Sequence, residues 1–207
     1  MNEKYTLKGR TRRLVMTAML SAVSSVLMMF LQFPIPFLIP SFIEMDFSDL
    51  PALIASFGLG PLWGVLVVLI KNVVHLLVTT TGGVGELSNF LLSSIFVATA
   101  GAVYHFFRTR KGALIGATAG ALAMALVSVL TNYYVMYPIY YNFMPEEAIL
   151  GAYQALLPSV DSILKSLFVF NLPFTFAKGM LNTLLAFLIY KHISSFLKGT
   201  PRSRVPK

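Results

Sequence analysis

Apolar residues gather in long blocks along the chain. Five blocks are long enough to cross a bilayer core of about 30 Å, which takes roughly 20 apolar residues in a helix. They run from Leu14 to Phe33, Pro61 to Thr79, Leu87 to Phe107, Gly112 to Met136 and Ser166 to Tyr190. A sixth block, at 48–59, is short. Ser48 and Asp49 offer a helix N-cap, and Gly58, Gly60 and Pro61 form a helix-ending cluster. The pattern predicts an all-α integral membrane protein. It forms a single domain over residues 1–207, with spans at about 14–33, 48–59, 61–79, 87–107, 112–136 and 166–190.

Composition supports this class. Hydrophobic residues make up 57% of the 207 and charged residues 12%, against roughly 25% charged in ordinary globular proteins. The mean hydropathy is +0.76. A net charge of +8 would suggest nucleic acid in a soluble protein, but its distribution points instead to membrane topology. With six spans and a cytoplasmic N-terminus, 13 of the 16 basic residues face the cytoplasm: Lys4, Lys8, Arg10, Arg12, Arg13, Arg108, Arg110, Lys111, Lys191, Lys198, Arg202, Arg204 and Lys207. The acids Glu44, Asp46, Asp49, Glu86, Glu146, Glu147 and Asp161 fall in or beside the outer loops. A re-entrant sixth block would put Arg108 to Lys111 outside, against the positive-inside bias. Six transmembrane helices with both termini in the cytoplasm, a multi-pass protein of the cell membrane, is the topology that satisfies the charges. The first block is too long for a signal-peptide core and no convincing cleavage site follows it, so it reads as a retained helix.

Several chemistries are excluded. No cysteine is present, so disulfides and thiolate sites are ruled out. There is no G-x-x-x-x-G-K-[ST], H-E-x-x-H or G-x-S-x-G. His75, His105 and His192 lie on distant segments, which argues against a metal centre. The sequence therefore predicts a protein that is no enzyme, has no ATPase site of its own, and needs neither cofactor nor metal.

The polar residues collect at one end. Pro34, Pro36 and Pro40 enforce an extended strap over residues 34–49, which ends in Glu44, Asp46, Ser48 and Asp49. Glu86, Ser88 and Asn89 open the fourth span, and Asn132 lies near the outer end of the fifth. Residues 137–165 form a loop too long to be a passive connection, with a short amphipathic helix expected around Glu146 to Leu157. Tyr133, Tyr134, Tyr137, Tyr140 and Tyr141 crowd the same level, as an interfacial belt or as platforms for a ligand. Ionisable groups inside spans default to functional candidates. Lys71 and His75 share one helix face, and Lys178 lies one turn from Asn182 beside the helix-loosening Pro173. Each could instead pair with Asp46, Asp49 or Glu86 to hold the bundle together. The whole suits a neutral ligand with a flat apolar body and hydrogen-bonding edges.

Small residues mark close helix packing. Gly112, Gly116 and Gly120 read as an internal seam. Ala18 and Ala22 allow close approach of a backbone that belongs either to the bundle or to a partner.

AMLSA at 18–22, EMDFSDLPALI at 44–54, GPLWGVLVVLIKNVVHLL at 60–77, GVGELSNF at 83–90, TNYY at 131–134 and LPFTFAKG at 172–179 together resemble the riboflavin-specific substrate-binding component, the S component, of energy-coupling factor (ECF) vitamin transporters. The resemblance implies capture of external riboflavin, here a transported ligand rather than a cofactor. Import would be driven by ATP within a complex of one transmembrane coupling subunit and two cytoplasmic ATPases, which fits the missing P-loop. It implies Ala18 and Ala22 as the coupling-subunit contact, with Glu44, Met45 and Asp46 from the strap beside the vitamin. Asn132 and Lys178 would address the polar edge of the ring. Thr175 stands where the family often has asparagine. Glu86 and Asn89, from the GELSNF block, complete the set. An S component for thiamine or a folate, an intramembrane enzyme and a stand-alone secondary carrier are the competing readings.

Overall fold

The structure is a computed structural model that describes the backbone of residues 3–198 and the side chains of residues 9–189. Arg202, Arg204 and Lys207, which the charge argument assigns to the cytoplasm, lie outside the described residues. So do the side chains of Lys4, Lys8, Lys191 and Lys198.

Helix α1 (Glu3–Phe30) buries a stripe that includes Met16, Thr17, Ser21, Ser24 and Met28, the three- and four-residue spacing of a helix facing a core on one side. The strap then folds on itself. Strand β1 (Phe33–Pro34) pairs antiparallel with β2 (Glu44–Met45), Phe33 opposite Met45 and Pro34 opposite Glu44. Helix α2 (Asp49–Leu59) has only 11 residues, about 16 Å of rise. It is followed by α3 (Pro61–His75) and a single 3₁₀ turn at Leu76–Val78. Between them Gly60 sits at φ 120°, a backbone conformation that favours glycine, and Pro61 opens α3 where a missing N–H costs nothing. Helices α4 (Val84–Phe106) and α5 (Arg110–Thr131) follow.

Beyond α5 the chain widens into a π-helical turn at Asn132–Met136 before α6 (Tyr137–Tyr140). The lid over this end carries α7 (Glu146–Gln154), the amphipathic piece expected from the sequence, with Ile149 and Tyr153 buried and Glu146 and Glu147 exposed. Helix α8 (Ile163–Ser166) leads through a second π turn, Leu167–Asn171, into α9 (Leu172–Lys198). Each π turn lies just ahead of a proline, Pro138 or Pro173. A proline ring collides with the carbonyl four residues earlier, and the wider turn relieves that collision without breaking the helix.

Close contacts show that the helices alternate in direction. Asn72 on α3 meets Asn89 on α4. Gly116 and Gly120 on α5 meet Ala100 and Phe96 on α4, and Gly179 on α9 meets Ala121 and Met124 on α5. Both ends of the described chain therefore lie at the end of the bundle away from the strap. Five segments are long and apolar enough to cross a membrane: Gly9–Phe30, Pro61–Val78, Val84–Phe106, Arg110–Tyr140 and Ile163–Ile189. Helix α2 is the short sixth, buried along Asp49–Ser56. The irregular backbone before it is also buried, at Met45, Asp46 and Ser48. Non-helical chain at such depth is tolerated only inside protein.

The glycine seam holds α4 against α5. A Cβ on Gly120 would stand 2.5 Å from the Phe96 carbonyl oxygen, and backbone cannot yield as a side chain can. Gly120→Leu is expected to lower the thermal unfolding midpoint in detergent, by the equivalent of about 1–3 kcal/mol for overpacking. Gly151→Ala, on open helical surface with nothing within 4 Å, is not expected to lower it.

Candidate functional site

Two cations, one fully buried and one at the cavity wall, organise the polar end. The Lys71 ammonium, fully buried, lies 2.5 Å from Asp49 Oδ1 and donates to Ser48 Oγ at 2.6 Å. This pair ties α2 to α3 and makes Lys71 a structural residue behind the site. It also alters the expected N-cap: the Ser48 hydroxyl bonds Asp46 Oδ1 and receives Lys71 instead of capping α2. The second cation, Lys178 on α9, donates to Asp46 Oδ2 at 2.6 Å. Asn182, one turn further along α9, donates to the Asp46 carbonyl at 3.2 Å and to the Lys178 carbonyl at 3.0 Å.

Above this clamp opens a cavity of about 270 Å³. The strap contributes Phe42, Ile43, Glu44 and Asp46, and α4 contributes Glu86, Asn89 and Leu92. Asn132, Tyr137 and Tyr140 come from the first π turn and α6. Asn171 ends the second π turn, and α9 adds Phe174, Thr175 and Lys178. Seven of the eight candidate ligand residues thus reach one cavity wall: Glu44, Asp46, Glu86, Asn89, Asn132, Thr175 and Lys178. Met45 does not. In extended chain successive side chains point to opposite faces, so Met45 turns away from the cavity and packs on Ile39 and Phe174.

The acids differ in freedom. Glu86 accepts from Thr79 at 3.0 Å and Thr81 at 3.2 Å and lies 2.7 Å from His75 Nδ1, so its oxygens are already engaged and it fixes the mouth of α4. Glu44 hydrogen-bonds Gln32 of the segment after α1. Burial pushes the Glu44 carboxyl above its ordinary range, with the Asp46 charge adding to the push and His75 and Lys178 opposing it. By contrast, Asn132 and Thr175 bond no protein side chain among the described residues and present their polar groups to the cavity.

Asn171 is a wall residue that the sequence reading missed. Tyr137 hydrogen-bonds Tyr153 of the lid, and the Tyr153 hydroxyl donates to Asn171 Oδ1 at 2.6 Å. The available signal was an asparagine two residues ahead of Pro173. The tyrosine cluster divides as its two readings did: Tyr133 and Tyr134 face outward, while Tyr137 and Tyr140 line the cavity.

Ala18 and Ala22 lie far from this site, on the outward face of α1, with Leu14, Val15, Met19 and Val26 exposed around them. The glycine seam is internal, whereas the alanine pair is presented outward. Among the described residues no group of histidines and acids could hold a metal ion.

The model of the family "ECF transporter, substrate-specific component" matches residues 12–190. The riboflavin transporter RibU of Staphylococcus aureus (strain TCH60) is 34% identical over 190 residues, covering 91% of this chain and 94% of that protein. The riboflavin transporter FmnP of Bacillus subtilis (strain 168) is 31% identical over 193 residues, covering 91% and 95%. A solved S component of a bacterial ECF transporter superposes with a TM-score of 0.72 at 34% identity, over 92% of this chain and 99% of that one.

Removing one partner of a buried ion pair costs about 3–5 kcal/mol, because the other charge is left without compensation. Asp46→Asn is therefore expected to lower the unfolding midpoint steeply. Asp46→Asn combined with Lys178→Met is expected to recover a large part of the loss, as measured by thermal unfolding in the same detergent.

Proposed function

The chain belongs to the family of ECF transporter substrate-specific components, and on that basis we propose that it captures riboflavin from outside the cell. Import is driven by ATP hydrolysed on two cytoplasmic ATPase subunits that reach this chain through a transmembrane coupling subunit. The chain crosses the cell membrane six times with both termini in the cytoplasm, α2 together with the buried end of the strap making the shortest crossing. The strap, the lid and the cavity then face outward.

The observation that carries the reading is the make-up of the cavity wall. Phe42, Tyr137, Tyr140, Leu92 and Phe174 offer aromatic and aliphatic surface for a flat ring system. Asn132, Thr175 and the Lys178–Asp46 pair offer donors and acceptors within the same enclosure. The isoalloxazine ring has a mostly apolar body and one edge of carbonyl acceptors and an N–H. Leaving such an edge unpaired in a buried site costs roughly 1–3 kcal/mol per group. Asn132 and Lys178 answer that edge, and the ribityl hydroxyls reach Glu44 and Asn89. Met45 supports the wall from behind.

Charge sets the selectivity. No arginine lines the cavity, Lys178 is matched by Asp46, His75 by Glu86, and Glu44 adds a further carboxyl. A phosphate on the ligand would enter an environment with no free cation, so the vitamin is favoured over its phosphorylated form.

Purified protein is expected to quench riboflavin fluorescence one-to-one and to bind the 5′-phosphate at least tenfold more weakly. Asn132→Ala is expected to weaken riboflavin by about tenfold, ~1.4 kcal/mol. A colourless protein that quenches nothing up to micromolar vitamin would overturn the assignment. Replacing Ala18 or Ala22 with tryptophan is expected to leave riboflavin affinity unchanged while abolishing co-purification with the coupling subunit. Retained assembly would remove the alanines from that contact.

A further inference from the structure

The end of the bundle away from the strap carries a second cavity with a different chemistry. It is an open cleft of about 390 Å³ between the first turns of α5 and the middle of α9. Leu114 lines one side, and Met180, Thr183, Leu184 and Phe187 line the other. Thr183 donates its hydroxyl to the Gly179 carbonyl at 2.8 Å, so no polar group along the wall looks for a partner. The two helices touch where Gly179 meets Ala121. From there the cleft runs toward Lys111, ten residues back along α5 or about 15 Å.

At its open end stand Arg110 and Lys111, both exposed. Neither has an ion-pair partner among the described residues. Every acid whose side chain is described (Glu44, Asp46, Asp49, Glu86, Glu146, Glu147 and Asp161) belongs to the strap, α2, the head of α4 or the lid, at the other end of the molecule. The cleft is thus apolar along its length and cationic at its mouth, where a membrane-embedded bundle meets the head groups. Charge complementarity selects an occupant with an anionic head and a hydrocarbon tail.

We propose that this cleft is a binding site for an anionic phospholipid. One acyl chain lies between Leu114 and Leu184, and the phosphate is held by Arg110 and Lys111. Phosphate suits this pair, since arginine can bond two of its oxygens at once and lysine supplies a second cation. The site shares α5 and α9 with the vitamin cavity but not their residues: α5 reaches that cavity at Met124, ten residues beyond Leu114, and α9 at Phe174, Thr175 and Lys178, all ahead of Met180. The lipid site is independent of riboflavin as ligand.

Native mass spectrometry of delipidated protein, titrated with phosphatidylglycerol or phosphatidylcholine of the same chains, tests it. The expected result is one retained phosphatidylglycerol at least tenfold tighter than phosphatidylcholine, with the preference falling below twofold in Arg110→Gln/Lys111→Gln. Leu114→Trp, which fills the cleft and keeps both cations, is expected to weaken the retained lipid by a similar factor. Riboflavin quenching, measured on the same samples, is expected to be unchanged. Its absence from wild type and variants alike would sink the vitamin reading and leave the lipid readout standing. Equal retention of the two lipids, a preference that survives the double variant, or displacement of the lipid by millimolar glycerol 3-phosphate would overturn the proposal. The last result would show a site for soluble phosphate rather than for lipid.

Discussion

A carboxylate or an ammonium cannot be left alone inside a membrane-embedded bundle, and the architecture of this protein follows from how it meets that constraint. Two aspartates three residues apart, Asp46 and Asp49, take the two lysines set within the helices, Lys178 on α9 and Lys71 on α3. The strap is thereby drawn deep into the bundle and α2 starts well below the strap's own ribbon. Only 11 helical residues are then needed to reach Gly60. Buried ion pairs are weak evidence of added stability, but they specify position well. Here they fix the floor of a cavity, the start of a helix and the depth of a loop at once.

Around that floor the chain separates two kinds of packing. Lipid supplies no hydrophobic drive between helices, so association rests on close backbone approach at small residues. Gly116 and Gly120 on α5 and Gly179 on α9 provide it. Polar enclosure is confined to one end, where two π turns bring Asn132 and Asn171 to the same wall. Each proline stands at the second residue of the helix that follows its turn, and the helical path continues past the irregularity.

Much of this was legible in the residues. Long uncharged blocks announce membrane helices, Gly60-Pro61 marks the α2–α3 turn, and the gathering of Glu44, Asp46, Glu86 and Asn132 at one end points to the cavity that they line. What the sequence left open was pairing. Lys71 and Lys178 look alike as lone cations in apolar helices, and only the depth of the strap decides which meets Asp49 behind the site and which meets Asp46 on its wall. Glu86 reads as a ligand group until Thr79, Thr81 and His75 are seen to occupy its oxygens. Asn171 was invisible because its role depends on Tyr153, 18 residues away on the lid. Met45 fell on the wrong side through the two-residue alternation of extended chain, which a contiguous motif conceals.

The strap's anchoring has a mechanical consequence. At one end, freeing Asp46 from Lys178 would leave two uncompensated charges, a cost of about 3–5 kcal/mol. At the other, residues 36–41 hold on through the buried Ile39 and Pro40, while Phe37 and Leu38 are already exposed. The strap is therefore moored at its carboxylate end, and Phe37 and Leu38 mark the stretch with least apolar enclosure to lose on lifting.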